Sequence, residues 1–108
     1  EQSLEAKARV KALVSLRESY SQQLEKERTS ERLMQAIDFI MGQPVLSVRQ
    51  LEAGLNLSNY LSAQRLVAKL EKYGILQEVT GQARNRIYQA DGILRAILEP
   101  IDAPNNAF

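Results

Sequence analysis

One feature constrains this fold more than any other. Between Pro44 and Tyr88 the sequence predicts a helical unit followed by a two-stranded hairpin. Up to Gly74 the apolar residues recur with the period of an α-helix. These residues are Ala63, Leu66, Val67 and Leu70. Gly74 is suited to the left-handed conformation that ends many helices. Beyond it, residues 75–79 and 86–89 predict two short strands joined by a turn that contains Gly and Asn.

The segment from Leu46 to Leu51 carries the clearest helix-start signal. Ser47 is a suitable N-cap, and the side chain of Gln50, three residues later, can accept a hydrogen bond from the backbone N–H of Ser47. Leu46 and Leu51 flank this pair and can form the apolar contact that accompanies such a start. We therefore predict a helix from Ser47 through Ala53.

A short turn, residues 54–57, separates this helix from the next. Gly54 predicts a left-handed exit from the first of the two helices, and Ser58 or Asn59 predicts the cap of the second. The small side chain of Ala63 lets the two helices cross closely. Together these elements predict a mainly α-helical winged helix-turn-helix with a small β-hairpin as its wing.

A long helix is predicted in front of this module, in residues 1–29. It runs from a cap at Ser3 to about Arg28, because this stretch contains neither Gly nor Pro. Four residues form an apolar stripe at helical spacing. They are Leu13, Leu16, Tyr20 and Leu24. Two alternatives stand for the stripe: it packs against its own domain or parent protein, or it forms a dimer or inter-domain interface with a partner's matching helix.

The winged helix-turn-helix is predicted to occupy residues 30–99. Its first helix ends near Gly42, because Pro44 prevents continuation. Positions at helical or strand spacing predict the buried core. These positions are Leu33, Ile37, Ile40, Leu51, Leu57, Ala63, Val67, Leu70, Leu76 and Ile87.

The end of the chain predicts one more short helix and a tail. Asp91 is a suitable cap for a helix from Ile93 to Leu98, and Pro100 would stop it. Residues 100–108 are polar and are predicted to be frayed.

The composition excludes several classes of function. The chain contains neither His nor Cys, which removes thiolate chemistry, the commonest general base and the commonest zinc ligands. We therefore predict no catalytic residue, no metal site and no cofactor. No apolar run approaches the ~20 residues that span a bilayer, so we expect a soluble, cytoplasmic protein without a membrane partner. The chain opens at Glu1 rather than Met, and we expect a fragment or processed piece of a longer protein.

The run from Ala63 to Leu76, followed by Thr80, Gly81 and residues 84–88, resembles the C-terminal winged-helix domain appended to many bacterial Fic-family proteins. Residues 13–20 resemble the helix that leaves the Fic catalytic core. Fic proteins transfer AMP or related groups from a nucleotide to a protein hydroxyl, through a loop of the form His-Pro-Phe-x-x-Gly-Asn-Gly-Arg that this chain lacks. The resemblance therefore implies a non-catalytic accessory domain, with the catalytic Fic domain of the same chain as a partner.

Binding of double-stranded DNA is one function that this fold predicts. The second helix of a helix-turn-helix reads base edges in the major groove from its N-terminal end. Asn and Gln can pair with adenine and Arg with guanine, while Lys and wing arginines contact phosphate. The predicted contact residues are Asn59, Tyr60, Ser62, Gln64, Arg65, Lys69, Arg84 and Arg86.

A protein-facing module is the alternative. The net charge of the chain is only +1, although residues 58–88 hold five basic and two acidic side chains. A third interpretation is a solvated surface without a partner, in which Asn59 is only a cap, Tyr60 packs on the first helix, and Arg65 pairs with Glu71 or Glu52. In the protein-facing interpretation the same surface contacts protein. The module would then position or regulate the attached catalytic domain, or mediate a homodimer, without contacting nucleic acid.

Overall fold

The computed structural model describes residues 2–98, with side-chain surroundings from residue 7 onward. Within these residues the chain is mainly helical with a small antiparallel sheet, so the predicted fold class is confirmed. The elements in chain order are α1 (Gln2–Leu24), α2 (Ser30–Gly42), β1 (Val45–Ser47), α3 (Val48–Gly54), α4 (Tyr60–Lys72), β2 (Gln77–Glu78), β3 (Ile87–Gln89) and α5 (Asp91–Leu98).

The sheet has three strands rather than the predicted two. β1, expected to be only an extended link, pairs with β3 and gives the order β1-β3-β2. Leu46 lies opposite Tyr88 in this register, and both side chains are buried. The backbone N–H of Ala90 extends the pairing by donating to the carbonyl of Pro44 at 2.8 Å. Two apolar residues after a proline are too short a pattern to reveal a strand whose partner is about 40 residues away.

The two helix starts of the module follow the sequence closely. Ser47 caps α3: its Oγ accepts from the N–H of Gln50 at 3.2 Å, and Gln50 Oε1 accepts from the N–H of Ser47 at 2.8 Å. Asn59, one of the two predicted candidates, caps α4 by accepting from the N–H of Ser62 at 2.8 Å. α4 ends as predicted, with Gly74 at a φ of +77°.

Gly54 does not have its predicted role. It is the last residue of α3, and Asn56 takes the left-handed conformation instead, with a φ of +54°. A Cβ added to Gly54 would lie 2.3 Å from Cε1 of Phe39. The glycine is therefore required because α3 and α2 approach each other closely, and not because the backbone needs a positive φ.

The core follows the predicted pattern at eight of the ten positions; Leu57 and Ile87 are only half-buried. These two side chains come from segments that border the surface, where one side of each remains open to solvent. α1 and α5 add residues that the prediction left out of the core. They are Tyr20, Leu24 and Ile93.

The apolar stripe of α1 packs within its own domain, which is the first of the two alternatives. Tyr20 and Leu24 are buried in the core, and Leu13 and Leu16 pack against it half-buried. α1 contacts both α2 and α5. Tyr20 and Leu24 are therefore unavailable to a partner chain in this structure, which removes them from the predicted dimer or inter-domain surface.

Both ends of α1 differ from the prediction. The helix begins at Gln2, so Ser3 lies inside it, and it ends at Leu24 rather than near Arg28. Residues 25–29 form a turn, in which the N–H of Glu27 donates to the carbonyl of Leu24 at 2.9 Å. The chain has to turn here because α2 packs against α1.

Asp91 is the first residue of α5 rather than its cap, because the helix begins two residues earlier than the predicted start at Ile93. Its carboxylate accepts a hydrogen bond from Nε2 of Gln89 at 2.6 Å. The predicted stop at Pro100 and the predicted tail, residues 100–108, lie outside the described residues.

Candidate nucleic-acid interface

α4 presents one long face to solvent. Its opposite face is in the core, through Ala63, Leu66, Val67 and Leu70. The exposed residues three and four apart along the helix form a continuous line, which we name the α4 ridge. The ridge consists of Leu61, Arg65, Ala68 and Lys72. Leu61 is 50% exposed, so the ridge carries an apolar side chain as well as charged ones.

A first groove, the wing-side groove, lies between α4, the start of α3 and the wing. Its lining is Ser47, Val48, Arg49, Tyr60, Gln64 and residues 83–88. Four of the predicted contact residues are among them: Tyr60, Gln64, Arg84 and Arg86. The guanidinium of Arg49 stands 4.7 Å from the ring centre of Tyr60, which stabilises both side chains at the mouth of the groove.

The wing is held by its own hydrogen bonds. The carboxylate of Glu78 accepts from the N–H groups of Thr80 at 2.9 Å and Gly81 at 2.6 Å, and also from the hydroxyl of Thr80. These bonds, that of the Thr80 hydroxyl first, lower the pKa of Glu78 below its ordinary value. Nε of Arg86 donates to the carbonyl of Gln82 at 2.6 Å. The remaining guanidinium of Arg86 and the side chain of Arg84 are exposed.

A second groove, the loop-side groove, lies on the other flank of α4. It is lined by the turn between α1 and α2, by the turn between α3 and α4, and by α4 itself. Its residues are 26–29, Arg32, 56–58, Ser62, Arg65, Leu66, Ala68, Lys69 and Lys72. Three predicted contact residues, Ser62, Arg65 and Lys69, are here rather than beside the wing. The structure therefore divides the predicted set between two surfaces.

Asn59 belongs to the lining of neither groove. Its side-chain oxygen accepts from both the N–H and the Oγ of Ser62, at 2.8 and 3.0 Å. In this structure the oxygen of Asn59 and the hydroxyl of Ser62 are committed to the start of α4, as the capping alternative predicts.

Lys69 is engaged by an acidic partner. Its Nζ lies 3.0 Å from Oε1 of Glu27, whose other carboxylate oxygen accepts from the hydroxyl of Tyr73. The bond from Tyr73, and after it the bond from Lys69, lower the pKa of Glu27. Glu27 therefore stays ionised and compensates the charge of Lys69.

Five basic residues that line the grooves were not among the predicted contacts. They are Lys26, Arg28, Arg32, Arg49 and Lys72. A dense group of charges between residues 25 and 32 is visible in the sequence. Its position beside α4 depends on the turn after Leu24, which local patterns did not predict.

Other chemistries find no support in the part of the chain that the structure describes. No group of acidic side chains there could hold a metal ion, and none of the described helices has the length and apolarity needed to cross a membrane. Comparison of the chain with protein-family models, with curated proteins and with solved structures finds no match.

Proposed function

We propose that this domain binds double-stranded DNA, with α4 in the major groove. The observation that carries the proposal is that Tyr60 and Gln64 of α4 line the wing-side groove together with Arg84 and Arg86 of the wing, beside the exposed α4 ridge. The major groove is about 12 Å wide, and an α-helix with its side chains is about 10–12 Å across. A helix that is exposed along its whole outer face is the element such a groove admits.

The N-terminal half of α4 supplies the groups for base recognition. Gln64 can pair with an adenine and Arg65 with a guanine, each worth about 1–3 kcal/mol of discrimination. Leu61 gives the exposed apolar contact that suits a thymine methyl group. Tyr60, whose ring contacts the guanidinium of Arg49, borders the recognition surface on the side nearest the wing.

The wing-side groove supplies phosphate contacts. Arg49, Arg84 and Arg86 line it, and its lining contains no acidic residue. Arginine forms two parallel hydrogen bonds to a phosphate, and such contacts fix the orientation of a protein on the duplex. The hydrogen bonds of Glu78 already order the wing loop, residues 80–86. The loop would therefore lose little conformational entropy on binding.

The proposal is tested by fluorescence anisotropy of a labelled duplex titrated with the protein at low salt. We expect binding that weakens for Arg84→Ala/Arg86→Ala. The slope of log K against log salt should become shallower by about 1.8, that is about 0.9 for each of two contacts. The matched control is Lys7→Ala/Lys11→Ala, which removes two exposed lysines that line neither groove. No binding by the unchanged protein at micromolar concentration would contradict the proposal.

The link to an AMP-transferase parent is a separate proposal that depends on the resemblance alone. If it holds, the DNA-binding domain would control or localise an attached Fic domain. The encoded sequence immediately before Glu1 tests this point, because a His-Pro-Phe loop should be found there.

A further inference from the structure

We infer that the loop-side groove binds the sugar–phosphate backbone of the second DNA strand, so that a duplex would be held on both flanks of α4. This inference rests on the proposed DNA binding and extends it to a surface that the wing does not reach. The two walls of a major groove belong to different strands. A helix seated in that groove therefore has one backbone on each side.

Charge is concentrated in this groove. Six basic residues line it, and Glu27 is the only acidic residue of the lining. The six are Lys26, Arg28, Arg32, Arg65, Lys69 and Lys72. The whole chain has 14 basic and 13 acidic residues, which leaves eight basic and twelve acidic residues elsewhere. Like charges placed together repel one another and lower the stability of the fold. This cluster of basic residues is therefore better explained by binding to a polyanion than by a role in stability.

Five of these cations lie outside the ion pair that Glu27 forms with Lys69. Lys69 is paired with Glu27, but the other five form no ion pair within residues 2–98. All five are exposed. Lys72 is near enough to Glu27 to help lower the pKa of that carboxyl, but Lys26, Arg28, Arg32 and Arg65 have no acidic partner within ion-pair distance in the described part of the molecule.

The α1–α2 turn is fixed against α4 before any ligand arrives. Glu27 contacts Lys69 on α4 and Tyr73, the residue that follows α4, across 42 and 46 residues of chain. Lys26 and Arg28 flank Glu27 in sequence, so the same contact holds both beside the helix. A preorganised cationic surface loses less freedom on binding than a flexible one.

The groove is continuous with the proposed recognition surface. Arg65, Ala68 and Lys72 belong both to its lining and to the α4 ridge. A duplex that contacts the ridge would therefore pass its backbone over the turn. This continuity favours DNA over an acidic protein, which would have no reason to contact the ridge as well.

The first test measures the salt dependence of duplex binding for Arg28→Ala/Arg32→Ala/Lys72→Ala. We expect the slope of log K against log salt to fall by about 2.7, about 0.9 for each of three contacts. Exposed substitutions of this kind change stability by about 0.5 kcal/mol or less, and circular dichroism checks that the fold is kept. Lys7→Ala/Lys11→Ala again serves as the control.

The second test uses the absence of cysteine from the chain. An iron chelate that generates hydroxyl radicals is attached to single cysteines introduced by Thr29→Cys in the loop-side groove, Ala83→Cys in the wing-side groove, and Ser15→Cys on α1. We expect the labels at 29 and 83 to cleave a bound duplex and the label at 15 to leave it intact. This separates direct contact from long-range attraction.

The outcomes are distinguishable. If the protein binds DNA, but the loop-side variant keeps the full salt slope and the label at 29 does not cleave, the inference is wrong and the proposed function stands. An acidic protein partner would produce that result. If the unchanged protein binds no duplex, the proposed function is wrong and the inference falls with it.

Discussion

The two grooves beside α4 are held in place by different kinds of contact. The wing is shaped by hydrogen bonds that the carboxylate of Glu78 accepts from the backbone N–H groups of Thr80 and Gly81, two and three residues away. The loop-side groove is shaped by Glu27, whose partners Lys69 on α4 and Tyr73 just after it are 42 and 46 residues distant. The wing can therefore change as a unit without disturbing the helices, whereas the loop-side groove is part of the tertiary structure. Variants of the two acidic residues should accordingly differ in what they disturb.

The largest effect on stability is expected at the contact of α3 with α2, because α3 and the turn after it border both grooves. Gly54→Ala would place a Cβ against the ring of Phe39. Overpacking costs about 1–3 kcal/mol, and the better helix propensity of Ala returns up to about 1 kcal/mol. We expect a net loss of about 1–2 kcal/mol in the free energy of unfolding, measured by urea denaturation.

Gly42→Ala is the matched control, because an added Cβ at this helical glycine meets nothing within 4 Å. It should leave stability unchanged or slightly raised. Phe39→Leu should restore part of the stability of Gly54→Ala. Equal stabilities of the two glycine variants would show that the close approach of α2 and α3 does not constrain residue 54.

The start of α4, which lies between the grooves, should show the next effect. Asn59→Ala removes the side-chain acceptor for the N–H of Ser62, and loss of such a cap costs about 1 kcal/mol. Ser58→Ala is the control, because Ser58 precedes the cap. A similar loss for both variants in thermal or urea unfolding would contradict the assignment of Asn59.

Substitution of Glu27 should lower the stability of the whole domain, but by less than the two changes above. Its pKa in the folded state lies below the ordinary value of 4.5. A lowered pKa contributes stability above the unfolded pKa and loses it as the pH falls through the folded pKa. Glu27→Gln should therefore lower the urea midpoint at neutral pH and reduce the loss of stability on acidification. A midpoint that equals that of the unchanged protein at every pH would contradict the long-range anchor.

Glu78 should give the smallest effect, confined to the wing. Its pKa is also lowered, so the same sign holds: the contribution is present above the ordinary value and disappears as the pH falls through the folded pKa. Glu78→Gln replaces charge-assisted hydrogen bonds by weaker neutral ones. We expect faster amide exchange at Thr80 and Gly81, and a urea midpoint that falls by less than it does for Glu27→Gln. A global loss as large as that of Glu27→Gln would remove the distinction between the grooves.

The features that the sequence predicted correctly are those with local signals. The reciprocal bonds of Ser47 and Gln50 and the cap at Asn59 depend on residues three apart. The buried face of α4 follows from its helical period, and the end at Gly74 from the conformational freedom of glycine. Each of these needs only one segment of chain to be known.

The features that were missed depend on distant partners. β1 is a strand because Leu46 meets Tyr88, and Gly54 is required because of Phe39. The candidate site was incomplete for the same reason, since Arg28 and Arg32 reach α4 only through the turn that Glu27 anchors. The separation of Gln64 from Arg65 could have been anticipated, however, because successive helical residues point about 100° apart.

Ser47 has a double position that limits how this domain can vary. It pairs with Ile87 in the sheet and caps α3. One residue inserted between Pro44 and Ser47 would reverse the alternation of β1, turning Leu46 away from the core, or would detach the cap from its helix. The length of this strand is therefore fixed, while the loop of residues 80–86 can be lengthened or replaced. Relatives of this chain should therefore vary in that loop while the length of β1 stays constant.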